Sequence, residues 1–225
     1  MNPNIPIYKQ RGIAALIFDF DGTLAEQTIN FALMRDVALA AMRRQGFTPE
    51  DPDLPVMEQL DRLASRLPAD QGTALRAAVL DAVRRVEVDA ARRSTLFPCV
   101  RPMFAACRRL GIATGIITRN CREAVSTVFP EIDNICSCLL TRDDVPRVKP
   151  HPDHLRAAVN TLQTPEAACL MVGDHPMDIA VGKAAGTQTA AVAGGYVPLA
   201  KLRHSDPDFC ENSLEALLHT LQIPL

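Results

Sequence analysis

The sequence predicts an α/β fold: a doubly wound parallel-sheet (Rossmann-like) core with an inserted all-α cap subdomain. Three observations lead there. Five short apolar runs recur without polar–apolar alternation, and amphipathic segments of helical period lie between most of them. One connection, between the first and second runs, is far longer than a parallel crossover requires.

The apolar runs span residues 13–18, 112–117, 135–140, 168–172 and 187–192. Strands covered by helices on both faces have no solvent side, so they read as unbroken apolar stretches. Leu155, Ala158, Val159 and Leu162 fall at i, i+3, i+4 and i+7, and Pro152 suits the first turn of that helix. Leu214, Leu217, Leu218 and Leu221 repeat the spacing, with Asn212 and Glu215 as a capping box. More than 90 residues separate the first two runs, against the dozen or so of a crossover. From Gln27 to Ser94 this connection shows helical periodicity: Ile29, Leu33, Val37 and Ala40; Leu60, Leu63 and Leu67; Leu75, Ala78, Val79 and Ala82. A Pro-rich stretch, 48–55, separates two of these segments. The expected organisation is a core of residues 1–26 and 95–225, with a helical cap at 27–94.

Composition removes several function classes. The chain has 225 residues, 48% hydrophobic and 22% charged, so it can bury a substantial core and is not disordered. A net charge of −2, with 4% aromatics and no Trp, lacks both the basic surface and the stacking platforms of a nucleic-acid binder. Apolar runs such as 13–18 hold six residues, well short of the ~18 a spanning helix needs, so no membrane association is expected. Lys9 and Arg11 imitate a signal peptide's basic start, but the run behind them is too short and ends at Asp19. The seven cysteines are odd in number and scattered, which suits reduced, apolar thiols in a cytoplasmic protein. Four Arg-Arg pairs (residues 43–44, 84–85, 92–93 and 108–109) read as solvated faces and ion pairs.

The chemistry gathers where strands end. Phe18-Asp19-Phe20-Asp21-Gly22-Thr23-Leu24 runs a buried strand straight into two acids, which is costly unless they bind a cation or react. Gly22 permits a turn that brings backbone N–H groups toward an anion. The second run delivers Thr118, Arg119 and Asn120. Lys149-Pro150-His151-Pro152 follows the third, and Gly173-Asp174-His175-Pro176-Met177-Asp178 follows the fourth. Asp174 and Asp178, four apart at the start of a helix, can face one spot. Acids grouped around one point repel without a cation, and oxygen-only ligands with open positions suit Mg²⁺. A carboxylate can attack phosphorus while a hydroxyl and an ammonium hold the phosphoryl oxygens. A second acid can protonate the leaving oxygen and then activate water.

These four segments, in this order and with these separations, resemble the motifs of the haloacid dehalogenase superfamily over about residues 12–222. The similarity is to its phosphatases with a helical cap between the first two strands, phosphoglycolate phosphatases in particular. The resemblance implies Asp19 as nucleophile and Asp21 as general acid/base. It implies Mg²⁺ on the Asp19 carboxylate, the Asp21 backbone carbonyl and Asp174, with Asp178 in support. Thr118 and Lys149 would hold the phosphoryl group, joined by Gly22, Arg119 and Asn120. The partner would be a small phosphorylated metabolite, handled by a monomer or homodimer. His175 departs from the pattern, standing where a small hydroxyl residue is common; it reads as a rim residue. His151 and His154 read as surface or helix-cap residues near Lys149. A sugar phosphomutase would share every core residue. A carbon–halogen hydrolase would lack the acid at Asp21, and a non-catalytic binding module would tend to lose the acids present here.

Overall fold

The computed structural model describes residues 5–48 and 54–225, so most of the Pro-rich stretch 48–55 lies outside the described residues. Among the described residues, six strands form one sheet: β1 (Ala15–Phe18), β2 (Ala113–Ile117), β3 (Cys138–Leu140), β4 (Cys169–Gly173), β5 (Gln188–Val192) and β6 (Phe209–Glu211). Their order is β3-β2-β1-β4-β5-β6 and every pairing is parallel. The doubly wound parallel sheet expected from the unalternating runs is therefore present.

β1 explains why alternation is missing. Leu16 and Phe18 join the cluster containing Val100, Phe104 and Leu217, whereas Ala15 and Ile17 join the one containing Leu155, Val159 and Val181. Both faces are covered, and all four residues are buried. Phe18 belongs to the first cluster, its ring 6.2 Å from that of Phe104, which packs edge-on against Phe129 at 5.9 Å. Truncating such a ring costs about 3–5 kcal/mol.

Several element boundaries differ from the sequence reading. Residues 132–135 form a helical turn, so β3 begins at Cys138 rather than at Ile135. β6 escaped the reading because it is three partly buried residues on the sheet edge, with one neighbouring strand to support it. The helix Leu214–Leu221 is capped by Ser213, whose hydroxyl accepts from the Ala216 N–H, and not by Asn212. Pro152 sits at the N-cap of the helix Asp153–Leu162. All seven cysteines are free, and no helix among the described residues is long and apolar enough to cross a membrane.

The chain divides into two compact units, one of residues 5–27 and 94–225 holding the sheet, the other of residues 28–93. The second unit carries three helices, Phe31–Arg44, Val56–Ala64 and Ala69–Ala91. Its core is Ala38, Ala41, Met42, Leu60, Leu75, Val79 and Val83. In the first of these helices the buried face differs from the one the periodicity suggested: Leu33 is exposed, and Ala38, Ala41 and Met42 are buried instead. Arg84 and Arg85 both pair with Asp81, and Arg93 with Asp89, on exposed faces where such pairs contribute little.

Candidate active site

Parallel strands in register bring their carboxyl ends to one edge. Phe18 pairs with Ile116 of β2 on one side and Val172 of β4 on the other. The residues following each strand, Asp19, Thr118 and Asp174, therefore leave the sheet side by side. Here β1 lies between strands wound in opposite senses, and such a switch point is where open α/β sheets bind ligands.

Lys149 organises the acids. Its ammonium lies 2.8 Å from Asp19 Oδ1 and 2.7 Å from Asp178 Oδ1, and its side chain is 2% exposed. Burial works against the charge, but Asp178 and Asp19 outweigh it and hold the ammonium protonated, its pKa raised above the usual lysine value. Asp174 and Asp178 are pushed toward their neutral forms. Burial, then the Asp19 and Asp178 charges, raise the Asp174 carboxyl to about 7. Burial, opposed by Lys149, raises Asp178 to about 6. Carboxyl oxygens of Asp19, Asp174 and Asp178 lie within 4.8 Å of one another. One ammonium does not balance three such acids, and a hard, oxygen-seeking divalent cation fits this donor set.

The first loop is shaped by close approach. Gly22 has φ +77°, and a Cβ there would stand 2.5 Å from Asp174 Oδ2. Across the site, a Cβ on Gly195, after β5, would overlap the same oxygen. Two loops thus wrap Asp174 at backbone distance, which only glycine allows. Gly194 and Gly195 escaped the sequence reading; the Gly-Gly pair directly after an apolar run is the signal that could have found them. Thr23 also donates its hydroxyl to Asp174 Oδ1 at 3.2 Å.

The structure brings the other expected residues to this edge in altered relations. The Gly22 N–H donates to Ala25 O at 2.7 Å, so it closes the turn and does not face an anion. Asn120, expected on the phosphate, donates its side-chain amide to Asp21 Oδ2 at 2.5 Å. The Asp21 carboxylate is accordingly turned to Asn120 and stands outside the cluster of Asp19, Asp174 and Asp178. Thr118 is buried, and its Oγ1 accepts from the Asn120 N–H at 3.1 Å. Arg119 reaches the Met177 sulfur at 3.8 Å. Asp178 has both oxygens engaged, one by Lys149 and the other by the His175 N–H at 3.2 Å. His175 is the N-cap of the helix Pro176–Ala185, its Nδ1 accepting from the Met177 N–H, so the departure from the motif still caps the helix.

Comparison with known proteins identifies the family and the fold. A family model described as haloacid dehalogenase-like hydrolase matches residues 16–192. Pyrophosphatase PpaX of Anoxybacillus flavithermus is 36% identical over 115 residues, 50% of this chain and 54% of that protein. PpaX of Bacillus cereus is 37% identical over 116 residues, 51% and 54% of the two chains. The match thus spans about half the length of these curated relatives. Among solved structures, a predicted phosphoglycolate phosphatase from Haemophilus somnus superposes with a TM-score of 0.62 at 19% identity, covering 92% of this chain and 97% of that one. CbbY from Rhodobacter sphaeroides, in complex with phosphate, gives 0.65 at 22% identity, covering 93% and 99%. At such identities these neighbours share the fold. With the family model spanning β1 through β5, the acids and lysine at the ends of those strands belong to a member of the haloacid dehalogenase-like hydrolase family.

Proposed function

We propose that this chain hydrolyses a small, phosphoglycolate-like phosphomonoester in a Mg²⁺-dependent reaction through a covalent phosphate on Asp19. The observation that carries the reading is the cluster of Asp19, Asp174 and Asp178 at the carboxyl edge of the sheet, with Lys149 paired to Asp19 and Asp178. Mg²⁺, when held by Asp19, Asp174 and the Asp21 backbone carbonyl with Asp178 in support, would neutralise the acids and the incoming phosphoryl oxygens.

The residues divide the remaining work. Asp19 forms the bond to phosphorus as the ester oxygen leaves; Lys149 and the Phe20 N–H, both on its Oδ1, fix the carboxylate's rotation. The Lys149 ammonium offsets the charge of nucleophile and phosphate together. Thr118 already accepts from Asn120, so its own proton remains to donate to a phosphoryl oxygen. Asp21 gives a proton to the leaving oxygen, then takes one from the water that releases phosphate from Asp19. The unit of residues 28–93, read as a cap, selects the leaving group and excludes water.

The test is a panel of phosphorylated metabolites with Mg²⁺, reporting kcat/KM for each. Inorganic pyrophosphate belongs on it, given the name of the curated relatives. Asp19→Asn, checked for folding, should lose at least ~10³-fold in kcat on the best substrate. Parent-like turnover by the folded variant would refute the covalent route.

A further inference from the structure

One buried titratable group near the site has no part in that scheme. His154 stands in the first turn of the helix Asp153–Leu162 and is 0% exposed. Both ring nitrogens are engaged. Nδ1 lies 3.2 Å from the Lys149 backbone N–H, and Nε2 lies 3.1 Å from the Leu140 carbonyl at the end of β3. A carbonyl only accepts, so Nε2 carries the proton, and Nδ1 offers its lone pair to Lys149. Burial, then the Lys149 charge, push the ring's pKa down to about 4, so this tautomer is neutral near pH 7.

We propose that His154 is a positioning residue whose neutral ring bolts the Lys149 backbone to the end of β3 and so holds the ammonium between Asp19 and Asp178. Lys149 lies on an irregular segment between β3 and the helix, with no strand ladder to place it. Its ammonium must nevertheless meet two carboxylates at 2.7–2.8 Å. The imidazole supplies the missing anchor: one edge grips the sheet and the other grips the lysine's own peptide group. A charged ring could not do this, because protonated Nδ1 would turn from acceptor to donor and face an N–H. The kinetic consequence rests on the phosphatase reading; the geometry does not.

Two near-isosteres separate the two bonds. In His154→Asn the amide oxygen falls near Nδ1 and can still accept from Lys149. In His154→Gln the amide nitrogen falls near Nε2 and retains the Leu140 contact alone. His154→Leu removes both. With the best phosphomonoester of the parent, the Asn, Gln and Leu variants, which break the bridge at one end or at both, should each lose roughly 10- to 100-fold in kcat with little change in KM, the scale on which small misplacements act. A residue that only packs would lower the melting temperature in all three while leaving kcat of the folded protein alone. Parent-like kcat in the folded Asn, Gln or Leu variant would overturn the proposal. ¹⁵N NMR of the parent imidazole at neutral pH needs neither variant nor turnover. It should show a protonated Nε2 and an Nδ1 coupled across a hydrogen bond to the Lys149 amide. A protonated Nδ1, or no coupling, would overturn the positioning role even if the phosphatase reading stands. Failure of the parent on every phosphorylated substrate would sink that reading and leave the NMR result to decide on His154.

Discussion

Replacing Lys149 by Met should cost the metal-free protein more than any single surface change, and the cost should depend on pH. At an effective dielectric of ~20, attraction across 2.7–2.8 Å is about 6 kcal/mol for each pair with Asp19 and Asp178. Repulsion between carboxylates whose oxygens lie within 4.8 Å of one another is at least about 3 kcal/mol per pair on the same scale, and the lysine no longer offsets it. Losing the ammonium also removes its own desolvation cost, so the net penalty is about 3–5 kcal/mol, as for other buried pairs deprived of one partner. For a chain of this size that is a fall in Tm of ~6–20 °C. The sign with pH follows from Asp174 and Asp178. Their folded pKa values, about 7 and about 6, lie above the unfolded 3.8, so the fold holds protons that the unfolded chain has released. Their contribution to stability therefore falls as pH rises from about 4 to about 7. At pH 5.5 both acids are largely protonated, and the missing ammonium matters less; at pH 8 it matters fully. The assay is thermal unfolding by circular dichroism, parent against Lys149→Met, in excess chelator at pH 5.5 and pH 8. A drop below ~2 °C at pH 8, or a larger drop at pH 5.5, would refute the electrostatic account.

If the proposed Mg²⁺ site is right, protons and the cation compete for the same carboxylates, so the Tm gain on adding Mg²⁺ to the parent should grow between pH 5.5 and 7.5; a gain independent of pH would place the ion elsewhere. In the proposed mechanism, Asp21→Asn keeps size and backbone carbonyl but gives up the base for water. With an aryl phosphate, whose leaving group needs little protonation, it should show a burst of phenol, accumulate a phosphoryl adduct on Asp19 by mass spectrometry, and lose ~10²-fold or more in steady-state rate. Loss of rate with neither burst nor adduct would remove Asp21 from the second step. Exchanging residues 28–93 for a short linker should leave a folded sheet unit with slow, indiscriminate turnover; a retained substrate preference would locate selectivity in the unit that holds the sheet.

Much of this was legible in the chain because it depends on local pattern. The unbroken apolar run Ala15–Phe18 announces a strand covered on two faces, and an acid placed directly after such a strand has to emerge at the sheet edge. The order of Asp19, Thr118, Lys149 and Asp174 along the chain follows the strands that present them. Short-range preference did not find β6, a three-residue edge strand supported by one neighbour. It also chose the wrong face of the helix Phe31–Arg44, where Leu33 is exposed and Ala38 is buried. In that unit the partners, not the hydrophobicity of single residues, decide which side is covered.

Sequence by itself determined the fold class, the strands that carry chemistry, and the residue types at their ends, since apolar period and strand-end placement act over a few residues. Tertiary structure alone decided what each group touches. Asn120 lies 99 positions from Asp21 yet holds its carboxylate, Gly195 makes room for Asp174, and His154 looks like a surface histidine until burial and two hydrogen bonds make it an anchor. Such relations are set by how loops from different strands meet at one edge. Hydrogen bonds of 2.5–3.2 Å demand a precision that no spacing along a chain encodes.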